Sequence, residues 1–520
     1  MSFTGPLVIA LTYTRCLPSR PQLRTVSAWP VAAATLALCV GAAPPSAAAE
    51  GSARGKPNVI VVTVDDQSLR TFERRIMPNT LKLAAGAQGQ KLEGYASPPL
   101  CCPSRAGFLT GQYPQNHGVL KNDWAELREP DNTLPAWLQA AGYNTGFAGK
   151  YLNGYKPGAK PAAGFDSWFG FVGKPGYFDY KASRQGDMKR YGDKREDYST
   201  TVITDKSRGF IRRKAESSRP FFLWTSYYAP HGRRSDHPSC KAGAPEPLAK
   251  DWRRFRDARV ELPPSFNEKD VSDKPSRVRR ARLRRGYAQF AKDRIRCTYA
   301  ALQEVDRGIG DLQRTLKKLR IDDETIIFYT SDNGLFFGEH RLNGKSLPYV
   351  EAVRVPFVVN VPRRFIRGQQ VAPIREPVAN IDLAPTILDF AGGEPCTARG
   401  ACRVMDGRSL VGPMQGDLSG WPRPRPIGVR LGEGCGAYRA VFQRSDVYVE
   451  YLQRVRGACK VAGTELYDLV EDPFQLRNRL FKPTDGAIDD AERLHEVVAR
   501  LWDCAGIEGR DPPQAGRPFC

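Results

Sequence analysis

The chain has 520 residues, 41% hydrophobic and 10% aromatic, which is enough apolar material for packed cores and excludes a globally disordered protein. Its 78 basic and 56 acidic side chains leave a formal charge of +22, which favours polyanionic partners: nucleic acid, anionic membranes or sulfated polysaccharide. A soluble enzyme decorated with solvated cations is the alternative, and the length suits one large domain with an appendage or two to three average domains.

Residues 1–49 carry the pattern of an export signal: Arg15, Arg20 and Arg24 precede an apolar run from Val31 to Ala43, and S-A-A-A follows. Cleavage is expected near Ala49. The run is shorter than the roughly 20 apolar residues that span a bilayer, and no later segment reads as transmembrane. Lipoprotein anchoring through Cys39 is the alternative, although Leu38 stands where a small residue is expected.

The segment P-N-V-I-V-V-T-V-D-D is continuously apolar from Val59 to Val64 and reads as a buried parallel strand ending in two acids. From Ser97 to Gly111 runs S-P-P-L-C-C-P-S-R-A-G-F-L-T-G. Adjacent Cys101 and Cys102 do not easily bridge each other, Pro103 removes a backbone donor, and Arg105 sets a cation near the thiol. The plain alternative is two structural cysteines in a tight turn. A second apolar strand is P-F-F-L-W-T-S-Y-Y-A-P-H, Pro220 to His231. Residues 274–296 are densely basic with one acid, Asp293; they read as a helix or its lead-in, with a solvated face as the simplest use.

Leu302, Val305, Ile309, Leu312, Leu316 and Leu319 recur at helical spacing, and Glu324 to Gly334 (E-T-I-I-F-Y-T-S-D-N-G) is a third apolar strand. Strands interleaved with such helices predict an α/β fold whose sheet is largely parallel, with ligands collecting beyond the carboxyl ends of the strands. A Gly- and Cys-rich loop at 393–415 separates a large domain, 50–392, from a smaller one, 393–520. In the latter Y-R-A-V-F-Q, D-V-Y-V-E-Y-L and E-L-Y-D-L predict an antiparallel sheet, and Leu494, Val497, Val498 and Leu501 a closing helix.

Asp65, Asp66, Asp332 and Asn333 are hard oxygen donors at two strand ends, suited to Ca²⁺ or Mg²⁺ rather than Zn²⁺. Of five histidines, His117, His231 and His340 fall beside candidate site residues. His237 reads as a solvated loop residue and His495 as part of the closing helix.

Taken in order, these segments resemble the sulfatase family over roughly residues 57–480, with G-F-A-G-K-Y-L-N at 146–153, N-I-D-L-A-P-T at 380–386 and L-Y-D-L-V-E-D-P at 466–473. The resemblance implies an alkaline-phosphatase-like fold: a central, mostly parallel sheet flanked by helices, with a smaller C-terminal antiparallel sheet plus helix. It implies that a formylglycine-generating enzyme converts Cys101 to formylglycine (3-oxoalanine). Asp65, Asp66, Asp332, Asn333 and an oxygen of the modified Cys101 would then hold Ca²⁺, with Mg²⁺ as second choice. One hydroxyl of the hydrated aldehyde would attack sulfur and the other would expel sulfate, splitting one displacement into two steps. Arg105 would hold the diol and His117 would act as base. Lys150, His231 and Lys345 would bind the sulfate, and His231 or Lys345 would protonate the leaving oxygen.

Many sulfatases carry a histidine two residues after the lysine matched by Lys150; here Leu152 and Asn153 follow instead. G-K-Y-L-N and C-C-P-S-R resemble the glucosamine-6-sulfatases and heparan endosulfatases, with Asn153 as the substitute substrate-binding group and His340 as a supporting residue. The implied partner is a sulfated carbohydrate or other sulfate ester, not nucleic acid, met by a secreted or extracytoplasmic enzyme. Two alternatives stay open: a phosphate or phosphonate monoester hydrolase on the same fold, and a non-catalytic binder of sulfated glycans.

Of twelve cysteines, two lie in the leader, Cys101 is reserved for conversion, and Cys102 is taken as a free thiol. The remaining eight can pair in about a hundred ways. Proximity favours Cys396 with Cys402, Cys435 with Cys459 and Cys504 with Cys520, which leaves Cys240 for Cys297.

Overall fold

The computed structural model describes residues 55–154, 160–233, 240–241, 243–367 and 370–520, so the signal-like leader and His237 lie outside the described residues. The first eight strands, in chain order, are β1 (Asn58–Val64), β2 (Gly89–Tyr95), β3 (Asn144–Gly149), β4 (Ser167–Val172), β5 (Lys181–Arg184), β6 (Asp187–Arg190), β7 (Phe221–Ser226) and β8 (Thr325–Ser331). A two-strand hairpin, β9 (Phe336–Phe337) and β10 (Asn343–Gly344), follows, then β11 (Arg354–Asn360) and β12 (Val378–Ala379). All but the hairpin form one ten-stranded sheet in the order β12-β2-β11-β8-β1-β7-β3-β4-β5-β6.

The three apolar runs of the sequence are the neighbours β8, β1 and β7, paired in parallel, and β3 and β4 extend the parallel block. Antiparallel partners border it: β11 against β8 and β2 on one side, β5 and β6 on the other. The sheet is therefore parallel at its centre and mixed at its margins. Strand β1 is buried on both faces, as its unbroken apolar run requires: Ile60, Val62 and Val64 enter one core, Val59 and Val61 the other.

The first of these cores is closed by the helices Ser199–Lys214 and Tyr287–Leu319. The second helix runs 33 residues, so the leucine periodicity marks only its later half. The basic 274–296 segment comprises a short helix, Ser276–Arg280, a turn, and the first turns of this long helix. The second core packs under the helices Cys101–Thr110 and Leu383–Ala391.

Strands β13 (Pro426–Leu431), β14 (Tyr438–Gln443), β15 (Asp446–Val455) and β16 (Ala458–Asp468) form a separate antiparallel sheet in that order. Helix Asp485–Trp502 covers it with Leu494, Val498 and Leu501. Their core also takes in Tyr95, Tyr113, Ala379 and Ile381, so the small sheet is packed against the large one. Four disulfides join Cys240 to Cys297, Cys396 to Cys402, Cys435 to Cys459 and Cys504 to Cys520, the pairing that proximity favours. Cys101 and Cys102 are free and buried.

Candidate active site

Register sets the site. Thr63 of β1 is level with Ser226 of β7, Val64 with Ser331 of β8, and Gly149 of β3 with Ser226. Four neighbouring strands thus end together, and the next residues, Asp65–Asp66, Tyr227–His231, Asp332–Asn333 and Lys150, emerge at one edge of the sheet. Two local devices shape this edge. Asp66 adopts a left-handed conformation (φ 70°), and Asp332 Oδ1 accepts its amide at 3.1 Å. Gly149 has φ 126°, and a Cβ there would stand 1.7 Å from the Ser226 carbonyl oxygen, so only glycine lets the Lys150 amide reach that oxygen at 2.9 Å.

Cys101 is the first residue of its helix, where the backbone dipole and free amides favour an anion. The Cys102 amide donates to Asn122 Oδ1 at 2.9 Å, and Asn380 ties the helix down by accepting the Ser97 amide (2.8 Å) and donating to the Ser104 carbonyl (2.6 Å). The Cys101 thiol, 1% exposed, lies 3.2 Å from Asp65 Oδ1 and 3.9 Å from Asp66 Oδ1. Lys345, immediately after β10, donates to Cys101 Sγ at 2.8 Å and also to Asp66 Oδ1. Lys150 Nζ donates to Asp65 Oδ2.

Arg105 is fully enclosed. Its Nε donates to Asp332 Oδ2 at 2.8 Å, its Nη1 to the Lys150 carbonyl (2.6 Å) and Ser226 Oγ (2.7 Å), and its Nη2 lies 3.6 Å from Asp65. His231 presents Nε2 at 3.5 Å from Asp66 Oδ2, while Nδ1 lies 2.6 Å from the Gly232 carbonyl and the ring stacks on Tyr228. Asn333 Nδ2 donates to Asp66 Oδ1 at 2.6 Å.

Charge explains the titration of this cluster. Burial pushes Asp65 up, but Lys150, His231 and Arg105 outweigh it and hold the carboxyl at about 2. Asp66 is lowered too, by Lys345 and His231 against burial. Burial and the Asp65 charge push the Cys101 thiol well up, so the unmodified side chain is a poor nucleophile.

A ligand atom from each of Asp65, Asp66, Cys101 and His231 lies within 4.8 Å of the others. Asn333 Oδ1 is buried without a hydrogen-bond partner. Clustered buried carboxylates with a spare amide oxygen fit a hard divalent cation. Asp332 borders the group but is turned toward Arg105.

One expected site residue makes no contact with this cluster. His117 is not part of the cluster: its Nδ1 accepts the Val119 amide at 3.1 Å, and burial with the charges of Arg403 and Arg128 holds it neutral, at about 3. Closeness to Cys101 along the chain does not carry over, because a glycine turn at Gly111 ends the Cys101 helix before His117. His340 sits between Glu268 (2.7 Å) and Glu351 (3.6 Å) and stacks on Tyr349, a structural position. Asn153 accepts at its backbone carbonyl from Cys102 Sγ (4.0 Å) and from the Trp124 amide (2.8 Å), and its Oδ1 is buried without a partner. Ser226, Tyr228 and Asn380 were not singled out by the sequence, although Ser226 and Tyr228 share the run that leads to His231.

A family model described as Sulfatase matches residues 57–393. The N-acetylglucosamine-6-sulfatase of Capra hircus is 33% identical over 524 residues, covering 91% of this chain and 87% of that protein. The extracellular sulfatase SULF-1 homolog of Drosophila melanogaster is 32% identical over 369 residues, which cover 68% of this chain but 31% of that protein. BT4656, solved in complex with its substrate D-glucosamine-2-N,6-O-disulfate, shares the fold: TM-score 0.67 at 22% identity, over 86% of this chain and 97% of that one. With the family pattern matched across most of the described fold, the chain belongs to the sulfatase family.

Proposed function

We propose that the chain hydrolyses sulfate monoesters of a sulfated sugar of the N-acetylglucosamine-6-sulfate kind, outside the cytoplasm, after a formylglycine-generating enzyme has acted on Cys101. The observation that carries this reading is the seat of Cys101: a helix-start side chain with Lys345 Nζ at 2.8 Å and Asp65 Oδ1 at 3.2 Å. A thiol there has a strongly raised pKa, whereas an aldehyde hydrate in its place supplies the nucleophilic oxygen for sulfur. Asp65, Asp66, Asp332 and Asn333 would hold Ca²⁺, or Mg²⁺, whose charge favours the anionic form of that oxygen.

The remaining steps belong to the chain's own side chains. Arg105, immobilised by four partners, fixes Asp332 and the Lys150 carbonyl. Lys150 and Lys345 offer Nζ to the non-bridging sulfate oxygens. His231 is the better donor to the leaving oxygen. Its Nδ1 is engaged by the Gly232 carbonyl, its Nε2 faces the cluster, and its side chain is 30% exposed, where the sugar must leave. Asn153 Oδ1 can accept from a sugar hydroxyl. His117 has no part in this scheme. The four disulfides agree with export.

Peptide mass at Cys101 with paired rates on sulfate and phosphate monoesters tests the reading. The expected result is a residue about 18 Da lighter than cysteine, sulfate preferred, and no turnover by Cys101→Ala. Phosphate preference, or an unmodified thiol in active protein, would overturn it.

A further inference from the structure

The arginines of the basic segment take no part in the site above. In the short helix Ser276–Arg280 and the turn after it, Val278 is fully buried and Ala281 packs on the core beneath the C-terminal sheet. This anchoring turns Arg277, Arg279, Arg280, Arg282, Arg284 and Arg285 outward, all exposed. Their contacts among the described residues are to the Lys274 and Ala281 carbonyls (2.8 Å each), the Arg279 carbonyl (2.6 Å), the Ser276 hydroxyl (3.4 Å) and the Phe290 ring, never to a carboxylate. Six unpaired like charges so close together repel one another, and a bound polyanion relieves that repulsion.

The ridge adjoins a cavity of about 890 Å³ whose cations include Lys269, Arg477 and Lys482. Lys274 Nζ donates to the Leu476 carbonyl at 2.8 Å and the Asn478 amide to Asp273 at 2.7 Å, which joins the ridge to the cavity's far wall. Two of the acids lining the cavity are already engaged, Glu268 by His340 and Asp273 by Lys274.

The near wall is bound to the loop that leads to Lys345. The Asn267 amide donates to the Gly338 carbonyl at 2.9 Å, and Arg341 Nη2 donates to the Lys269 carbonyl at 2.7 Å. On the helix that continues the ridge, Arg294 donates to Asn343 Oδ1 at 2.5 Å, two residues before Lys345, and Asp66 is among the charges acting on it.

We propose that the ridge and the adjoining cavity form an extended subsite for a linear sulfated polysaccharide, gripping its sulfates while one residue is presented at Cys101. This rests on the sulfate-ester reading for the presentation, not for the binding. The test uses the full chain, with heparin as the polymer probe and p-nitrophenyl sulfate as the small ester. Heparin affinity of the wild type is expected to fall about a thousandfold between roughly 50 and 200 mM salt.

Changing the six arginines to glutamine is expected to weaken heparin binding and raise KM on the polymer by about tenfold or more, with p-nitrophenyl sulfate turnover unchanged. The triple variant K269Q/R477Q/K482Q is expected to move the same two quantities and stands in if the sixfold variant does not fold. Unchanged heparin binding in the variants would overturn the proposal. So would equal wild-type affinity for phosphatidylserine vesicles or double-stranded DNA, which would make the ridge a general polyanion surface. Ridge-dependent heparin binding in a protein that hydrolyses no sulfate ester would uphold the subsite and remove the sulfatase reading instead.

Discussion

Arg105 shows how one side chain serves chemistry and stability together. Its guanidinium ties the Cys101 helix to Asp332 after β8, to Asp65 after β1, and to the Lys150 carbonyl and Ser226 at the ends of β3 and β7. Removing it leaves Asp332 buried beside Asp66 with its ion-pair partner gone. Arg105→Ala should therefore cost about 3–5 kcal/mol, read from the denaturant midpoint, as well as abolish turnover. Arg105→Lys should recover part of the stability and little of the activity, since one ammonium cannot reproduce a fork that serves four partners. An Arg105→Lys variant with near-native turnover would show the fork to be dispensable. At this scale much of the candidate site was legible: Asp65, Asp66, Asp332 and His231 stand at or beyond strand ends that the apolar runs announce, whereas Lys345 follows the two-residue strand β10, which no apolar run marks. His117 makes no contact with that cluster, although it lies close to Cys101 in sequence, since a left-handed turn at Gly111 ends the Cys101 helix before it.

Among elements, the strands that read clearly are those whose burial is two-sided. Strands β1, β7 and β8 are buried throughout and largely apolar because both faces meet a core, and they form the centre of the sheet. The margins did not read. Strand β2, G-Q-K-L-E-G-Y, is half-exposed and carries no strand period, and β6 is exposed along its length. Strand β2 depends on the backbone edge of the distant β11, which no local pattern reports, whereas β6 closes a local hairpin with β5 but buries none of its side chains. Strand β13 was missed for a related reason, since Pro426 and Gly428 weaken the signal that Ile427, Val429 and Leu431 supply.

A test at this scale is Gly149→Ala. The added Cβ meets backbone, not a flexible side chain, so β3 and β7 must part where Lys150 and Arg105 are held. A loss of about 2–3 kcal/mol with most of the activity is expected; wild-type stability would show that the edge can relax. Loop length gives a second contrast. Replacing both cysteines of the 240–297 bridge, 57 residues apart, should cost about 4 kcal/mol, against about 2 kcal/mol for the 396–402 bridge, 6 apart. Paired urea melts of the two Cys→Ala double variants read the difference, and the reverse order would place the stabilisation in the folded state.

For the whole molecule, the segment that carries Lys345 is fastened to the rest of the fold by a buried ionic cluster, and this sets how stability responds to pH. His340 is fully buried, with Glu268 at 2.7 Å on Nδ1 and Glu351 at 3.6 Å on Nε2, while Lys274 Nζ lies 3.3 Å from Glu268. These contacts join the 264–274 segment, the loop after β9 and the turn leading into β11. Burial alone would lower the imidazole, but Glu351 and Glu268 prevail and raise it from 6.5 to about 9. The folded state thus binds a proton that the unfolded chain releases near 6.5. The resulting stabilisation is complete below that pH and is lost as pH rises through 9. The shift corresponds to about 3 kcal/mol. Unfolding free energy measured between pH 6 and 9.5 should fall by about that amount, whereas His340→Gln should be less stable at pH 6 and nearly flat across the same range. A wild-type profile without that decline, or the same slope in the variant, would show that the imidazole is neutral in the fold and that Glu268 is balanced by Lys274 instead.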